Sequence, residues 1–422
     1  MKYYLAIDIG ASSGRHIIGY RRGGKIFTRE VYRFPNEVKQ QDGHLVWDTE
    51  ALLSNIKLGI DAALEKYPRI ESFSIDTWGV DYVLMNGAEP ILPCYAYRDG
   101  RTERIIEKVH AKVPFQTLYA HTGIQFQPFN TVYQLCADNA SGRLSAATDF
   151  LMMPEYFIYR LTGVKTHEYT NATTGGLVDA HARTYDREIY EKLGLPQRLF
   201  GELSFPGTAA GEYKGIKAVL CATHDTGSAV EGMPLGRDCF FLSSGTWSLL
   251  GAAIDSPRTD EESLKCNFTN EGGVGYIRFL KNIMGLWIIQ NLQKQTGYSF
   301  EAMADMARAS KYEKTFDVNL PRFLSCPDMR AEVLGALGES SLADSDIFNS
   351  VYRSLAQSYA DAVNELESVL GEKRPVLVIA GGGAKNGYLN ELTRLFTGKE
   401  VRAYPVEATA IGNLKVQMEA AK

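Results

Sequence analysis

Chemistry in this sequence is concentrated where glycine and hydroxyl residues meet the ends of β-prone runs. The turn DIGASSGR (8–15) follows the apolar run Tyr3–Ile9 and precedes a second β-prone run over 15–20. Small residues in such a turn let backbone N–H groups approach an anion, and Arg15 adds a charge, so the turn can cradle a phosphate without a side-chain cage. A plain tight hairpin reads the same way. SSGTWS (243–248) repeats the design inside DCFFLSSGTWSLLGAAI (238–254). One such turn says little; two, each opening one half of the chain, fit two loops closing on one polyphosphate. GGG (381–383) lies between an apolar run and an amphipathic one. One glycine usually satisfies a strand-to-helix turn, so the triplet suggests a flat backbone surface for a base or sugar. Neither GxxxxGK[ST] nor GxGxxG after a strand is present, which excludes the P-loop and Rossmann patterns.

Candidate acids and bases lie nearby. THDTGSA (223–229) sets Asp225 after an apolar strand, beside His224 and Thr226. A carboxylate there suits a general base, although position alone favours a helix cap. His224 has no second His or Cys at ligand spacing. SIDTWGVDYVL (74–84) carries Asp76, Trp78, Gly79 and Asp81 in one turn. It reads either as a sugar pocket, with the ring on apolar CH faces and acids on hydroxyls, or as a hairpin around a buried Trp. AYRDGRT (96–102) could be a solvated helix start. LKNIMGLW (280–287) could place Asn282 in a pocket, while its apolar residues read as core.

The elements that must hold these groups are α/β. The opening 31 residues form a meander of strands 3–9, 15–20 and 25–31. Leu52, Ile56, Ile60 and Leu64 repeat every four and predict a helix over 48–65, capped by Asp48 or Thr49. Strand, Trp-Gly turn and strand follow, so the start runs β-β-β-α-β. Helix signals fill the middle, among them PEYFIYRLTG closing on Gly163. The second hairpin follows, then helices over 284–295 and 346–370. No linker marks a boundary, which is placed near Met233.

The chain has 422 residues, with 45 Lys and Arg against 50 Asp and Glu, a formal net charge of −5. No basic excess exists to neutralise nucleic-acid or membrane phosphates. No apolar stretch approaches the roughly 18 residues of a membrane span. The N-terminus reaches Asp8 too soon for a signal peptide, and the six cysteines form no CxxC pair. A reducing cytoplasm is the expected compartment.

Twelve segments in order resemble the FGGY family of carbohydrate kinases: DIGASSGR, SIDTWGVDYVL, AYRDGRT, TGIQFQPFNTVYQL, MMPEYFIYRLTG, EYTNATTGGLV, HDTGSAV, LSSGTWSL, TNEGG, LKNIMGLW, GGGAKN and PVEATAIGN. They span nearly the whole chain. The resemblance implies two ribonuclease-H-like domains of the actin/Hsp70/sugar-kinase type, here 1–232 and 233–422, with the nucleotide between them. It implies phosphorylation of a ketose by ATP with Mg²⁺. TWGVD, YRDGR and KNIMGLW point to the 1-hydroxyl of L-rhamnulose, with L-fuculose or L-xylulose as alternatives, and a non-catalytic sugar sensor as a further one. Ala11, Ser12, Ser13, Gly14 and Arg15 match the first phosphate loop, and Asp8 the carboxylate near the metal. Gly79, His224, Asp225, Thr226 and Asn282 match sugar contacts, with Asp225 now read as catalytic base. Thr246, Gln290 and Gly382 match nucleotide contacts. The expected partners are the sugar and ATP alone, in a monomer or homodimer. Two departures stand out. The chain reaches Lys422 one helix after PVEATAIGN, whereas a longer tail packing on the first domain is expected from the resemblance. The stretch 206–222 is also shorter than expected.

Overall fold

A computed structural model describes residues 1–324, 326–404 and 407–422. Pro405 and Val406, the first two residues of PVEATAIGN, therefore lie outside the described residues. The chain divides into two compact units. One comprises Met1–Gly232, Ile254–Phe279 and Thr409–Lys422; the other comprises Met233–Ala253 and Leu280–Ala408. Residues 254–279 and 409–422 thus group with the first unit by contacts.

The first unit is built on a six-stranded sheet. Its order is Ala209–Tyr213, Ile216–Val219, Ile70–Thr77, Tyr3–Ile9, Ser13–Arg22, Lys25–Pro35. The opening meander is present, its last two strands longer than expected. Tyr3–Ile9 is buried from Tyr4 to Ile9 and runs parallel to Ile70–Thr77, which sets Asp8 level with Asp76. Central parallel strands are covered on both faces, which explains why these runs lack polar alternation. The helix Thr49–Lys66 starts where Asp48 accepts a hydrogen bond from the Ala51 N–H at 2.9 Å. Its Leu52, Ile56 and Ile60 pack into the core with Ile7, Phe73 and Ile75. Met153–Thr162 ends on Gly163 in the left-handed conformation, as its sequence indicates.

The final helix, Ala408–Ala420, covers the sheet within this unit. Ala410, Leu414 and Met418 pack with Tyr4, Ala6 and Ile17. One of its amides reaches between strands: the Gln417 side chain donates to the Leu5 carbonyl (3.0 Å) and accepts from the Ser72 hydroxyl (2.7 Å). Gly412 allows its close approach to the helix Asp225–Gly232, since a Cβ there would stand 1.8 Å from the Ser228 carbonyl oxygen.

The second unit carries the repeated hairpin, Cys239–Ser244 antiparallel to Trp247–Ile254. Cys239–Ser244 pairs in parallel with Val376–Ala380, which pairs in parallel with Glu400–Tyr404. The 27-residue helix Asp344–Leu370 buries Phe348, Val351, Leu355, Tyr359 and Val363 along one stripe. All six cysteines are free thiols. Among the described residues no helix is long and apolar enough to cross a membrane.

Candidate active site

In the first unit the sheet sets two carboxylates, Asp8 and Asp76, level on neighbouring central strands, and Asp225 is within electrostatic reach of Asp76. Asp8 sits between Arg15 on one neighbouring strand and Asp76 on the other. Arg15 Nη2 donates to Asp8 Oδ2 at 2.6 Å. Asp76 is fully buried, and Asn413 from the final helix donates to its Oδ2 at 2.5 Å. Asp76 Oδ1 has no hydrogen-bond partner. Burial, then the Asp8 charge, and more weakly that of Asp225, push the Asp76 carboxyl well above the usual carboxylate range. Asp225 opens the helix Asp225–Gly232. It lies beside the sheet because Thr77 bridges to His224 and donates its N–H to the Thr223 carbonyl at 2.9 Å. Asp225 Oδ1 accepts from the Thr226 N–H at 2.5 Å. Its side chain nevertheless keeps 31% exposure, against 8% for Asp8.

The turn at 10–14 is held through its carbonyls. Asn36 donates from its backbone to Ser12 (3.0 Å) and from its amide to Gly10 (2.8 Å), while the Gly10 N–H donates to Ser13 (2.9 Å). Ala11 and Ser12 are exposed. Anchored this way, the turn can offer its amide side to an anion.

The TWGVD turn settles the choice between sugar pocket and buried hairpin for two of its members. Asp81 is fully buried and accepts from Trp47 Nε1 (2.7 Å), Trp78 Nε1 (2.9 Å), the Tyr97 N–H (3.0 Å) and Gln134 Nε2 (3.0 Å). Trp78 packs on Trp47 with ring centroids 4.2 Å apart. Both are core groups that fix the turn. Val80 holds φ of 65°, a costly conformation for a β-branched residue. Thr174 and Thr131 pin it through its N–H (3.1 Å) and carbonyl (2.8 Å). Gly79 is buried against Thr174, where a Cβ would meet Oγ1 at 2.9 Å. Two charges of AYRDGRT are likewise not solvated, since Asp99 caps the turn at 100–102 and Arg101 pairs with Asp138 at 2.8 Å, whereas Arg98 is exposed.

In the second unit, Thr246 and Gln290 come together, the Thr246 hydroxyl donating to Gln290 Oε1 at 3.3 Å. The turn carbonyls of Gly245 and Thr246 accept from the N–H groups of Leu286 and Trp287, which ties the turn to the helix Trp287–Thr296. Gly285 permits that contact, since a Cβ would lie 2.6 Å from the Trp247 backbone. Asn282 is on the strand Ile277–Met284, half-buried. The glycine triplet divides by role. A Cβ on Gly381 or Gly383 would strike Ser244 at 2.6 or 2.0 Å, whereas one on Gly382 meets nothing within 4 Å. Two glycines serve packing, and the middle one presents open backbone.

From sequence, Asp76 was weighed only as a sugar-pocket acid, not as the partner of Asp8, and the buried Glu271 and Arg278 beside His224 were not singled out. TNEGG was visible as a motif, but nothing in its composition placed it against HDT.

Residues 3–222 match the model of the FGGY family of carbohydrate kinases, N-terminal domain, and 240–421 that of its C-terminal domain. The chain is 42% identical to a rhamnulokinase of Halalkalibacterium halodurans, over 99% of this chain and 93% of the relative. It is 41% identical to one from Oceanobacillus iheyensis at the same coverage. Among solved structures, a xylulose kinase from Lactobacillus acidophilus superposes with a TM-score of 0.83 at 17% identity, over 100% of this chain and 90% of that one. A Plasmodium falciparum glycerol kinase with ADP gives 0.76 at 16% identity, over 100% and 90%. At such identities these structures speak for the two-domain α/β fold, and the sequence matches over nearly the full length decide the rest: the chain belongs to the FGGY family of carbohydrate kinases.

Proposed function

We propose that the chain transfers the γ-phosphoryl group of ATP to the 1-hydroxyl of L-rhamnulose, with Asp225 as general base. The observation that carries the base assignment is the partly exposed carboxylate at the start of the HDT helix, within electrostatic reach of Asp76. Full-length similarity to curated rhamnulokinases supports the sugar. Asp225 accepts the proton of the attacking hydroxyl as its oxygen closes on the γ-phosphorus in line. Thr226 N–H, donating to Oδ1, fixes the carboxylate's direction. His224, Thr226, Asn282 and the Gly79 backbone bind the sugar. Ala11, Ser12, Ser13, Gly14 and Arg15 hold phosphate oxygens, and Thr246, Gln290 and Gly382 the rest of the nucleotide. Phosphoryl transfer needs little covalent help, so positioning and charge carry most of the rate.

Hard carboxylate oxygens suit Mg²⁺, and the unpartnered Asp76 Oδ1 beside Asp8 fits a cation. Asp8, with Asp76 and Asp225 alongside, would hold it. When bound, Mg²⁺ neutralises phosphate charge. Asp225→Asn tests the base: kcat for sugar-dependent ADP release falls at least ~100-fold with an unchanged melting temperature. Activity within a few-fold of wild type overturns the assignment.

A further inference from the structure

His224 has a buried charged pair against its far edge. Arg278 has no exposed surface, and Glu271 is almost as deeply buried. Glu271 Oε2 lies 3.2 Å from His224 Nδ1 and 3.1 Å from Arg278 Nη1. Arg278 Nη2 stands 3.2 Å from the same Nδ1, and its Nε donates to the Gly272 carbonyl at 2.8 Å. Burial alone would raise the Glu271 pKa, but the Arg278 charge and then His224 hold it below the usual glutamate value. The opposite nitrogen, Nε2, stands 3.5 Å from Asp225 Oδ1.

A buried ion pair is poor evidence for stability, since desolvation offsets much of the attraction. This pair has a geometric consequence instead. A guanidinium can only donate, so Nδ1 accepts from Arg278 Nη2 while Glu271 Oε2 pairs with Arg278 Nη1; turning the ring over would set a C–H against that donor. The ring is therefore held with Nε2 toward Asp225.

We propose that Glu271 is a positioning residue for phosphoryl transfer: with Arg278 it holds the Nδ1 edge of His224 and so aims Nε2 at Asp225 and the sugar hydroxyl. This rests on the reading of Asp225 as base. The group supplies no proton of its own; it acts through the orientation of His224.

Three variants measured together test it. Glu271→Gln keeps the size and removes the charge: kcat falls at least tenfold while the KM for ATP stays within twofold. That change leaves Arg278 buried without its carboxylate, so folding is also perturbed. The double variant Glu271→Leu with Arg278→Met removes both charges at similar volume. Its melting temperature recovers, and its kcat stays at least tenfold down. Recovery of kcat together with melting temperature shows a merely structural pair and overturns the proposal, as does wild-type kcat in Glu271→Gln. Asp225→Asn is the third. If it is inactive while Glu271→Gln is normal, the positioning role alone fails; if it is active, the base reading fails and the proposal with it.

Discussion

Asp81→Asn isolates the electrostatics of the TWGVD turn. Burial raises the Asp81 pKa from the ordinary 3.8 to about 6, against the opposing pull of its hydrogen bonds from Gln134, Trp47, Trp78 and Tyr97. An aspartate with a raised folded pKa is neutral in both states below about pH 4. As pH rises the unfolded chain ionises first, so stability falls between about pH 4 and pH 6 and levels off above. The two values give a loss of about 2 kcal/mol between pH 4 and pH 7 from this one group. Asn cannot ionise. It does present an amide to Gln134 Nε2, which already donates to Val80 and Phe129, while Gln134 Oε1 accepts from Arg101. That donor–donor contact costs about 1–3 kcal/mol at every pH. Urea unfolding of both proteins from pH 4 to pH 7 separates the terms, because all other groups cancel in the difference. The difference shifts by about 2 kcal/mol in favour of the variant as pH rises. A difference independent of pH refutes the reasoning.

Gly412→Ala forces a methyl onto the Ser228 carbonyl; the helix must shift, and the first unit loses about 1–3 kcal/mol or more, read by thermal unfolding. Gly382→Ala meets open space and leaves the melting temperature unchanged while raising the KM for ATP several-fold; an unchanged KM contradicts an adenosine role for that backbone. Arg15→Ala raises the KM for ATP more than that for sugar, measured by varying each substrate at saturation of the other.

What sequence alone could reach follows from range. The meander, the helix at 49–66 and the glycine caps are local, so periodicity and turn chemistry expose them. The turns at 10–14 and 243–248 and HDT were legible as motifs because glycine and hydroxyl residues cluster there at strand ends. The level pairing of Asp8 with Asp76 depends on parallel register across some 60 residues, and no local pattern carries it. Trp78 and Asp81 stayed open between sugar pocket and buried hairpin because a carboxylate satisfied by two indoles and two other N–H groups looks, in sequence, like one offered to hydroxyls. Asn413 and Gln417 read as ordinary helix residues until the final helix is seen inserting them between strands. Gly381 and Gly383 look the same as Gly382, and only the position of Ser244 tells them apart.

The central claim is phosphorylation of L-rhamnulose. Coupled ADP release by the purified chain with ATP and Mg²⁺, across L-rhamnulose, L-fuculose, L-xylulose, D-xylulose and glycerol, tests it most directly. The account predicts the largest kcat/KM for L-rhamnulose, at least tenfold above every other acceptor. ADP release no faster with L-rhamnulose than without sugar, or faster with another acceptor, would contradict it.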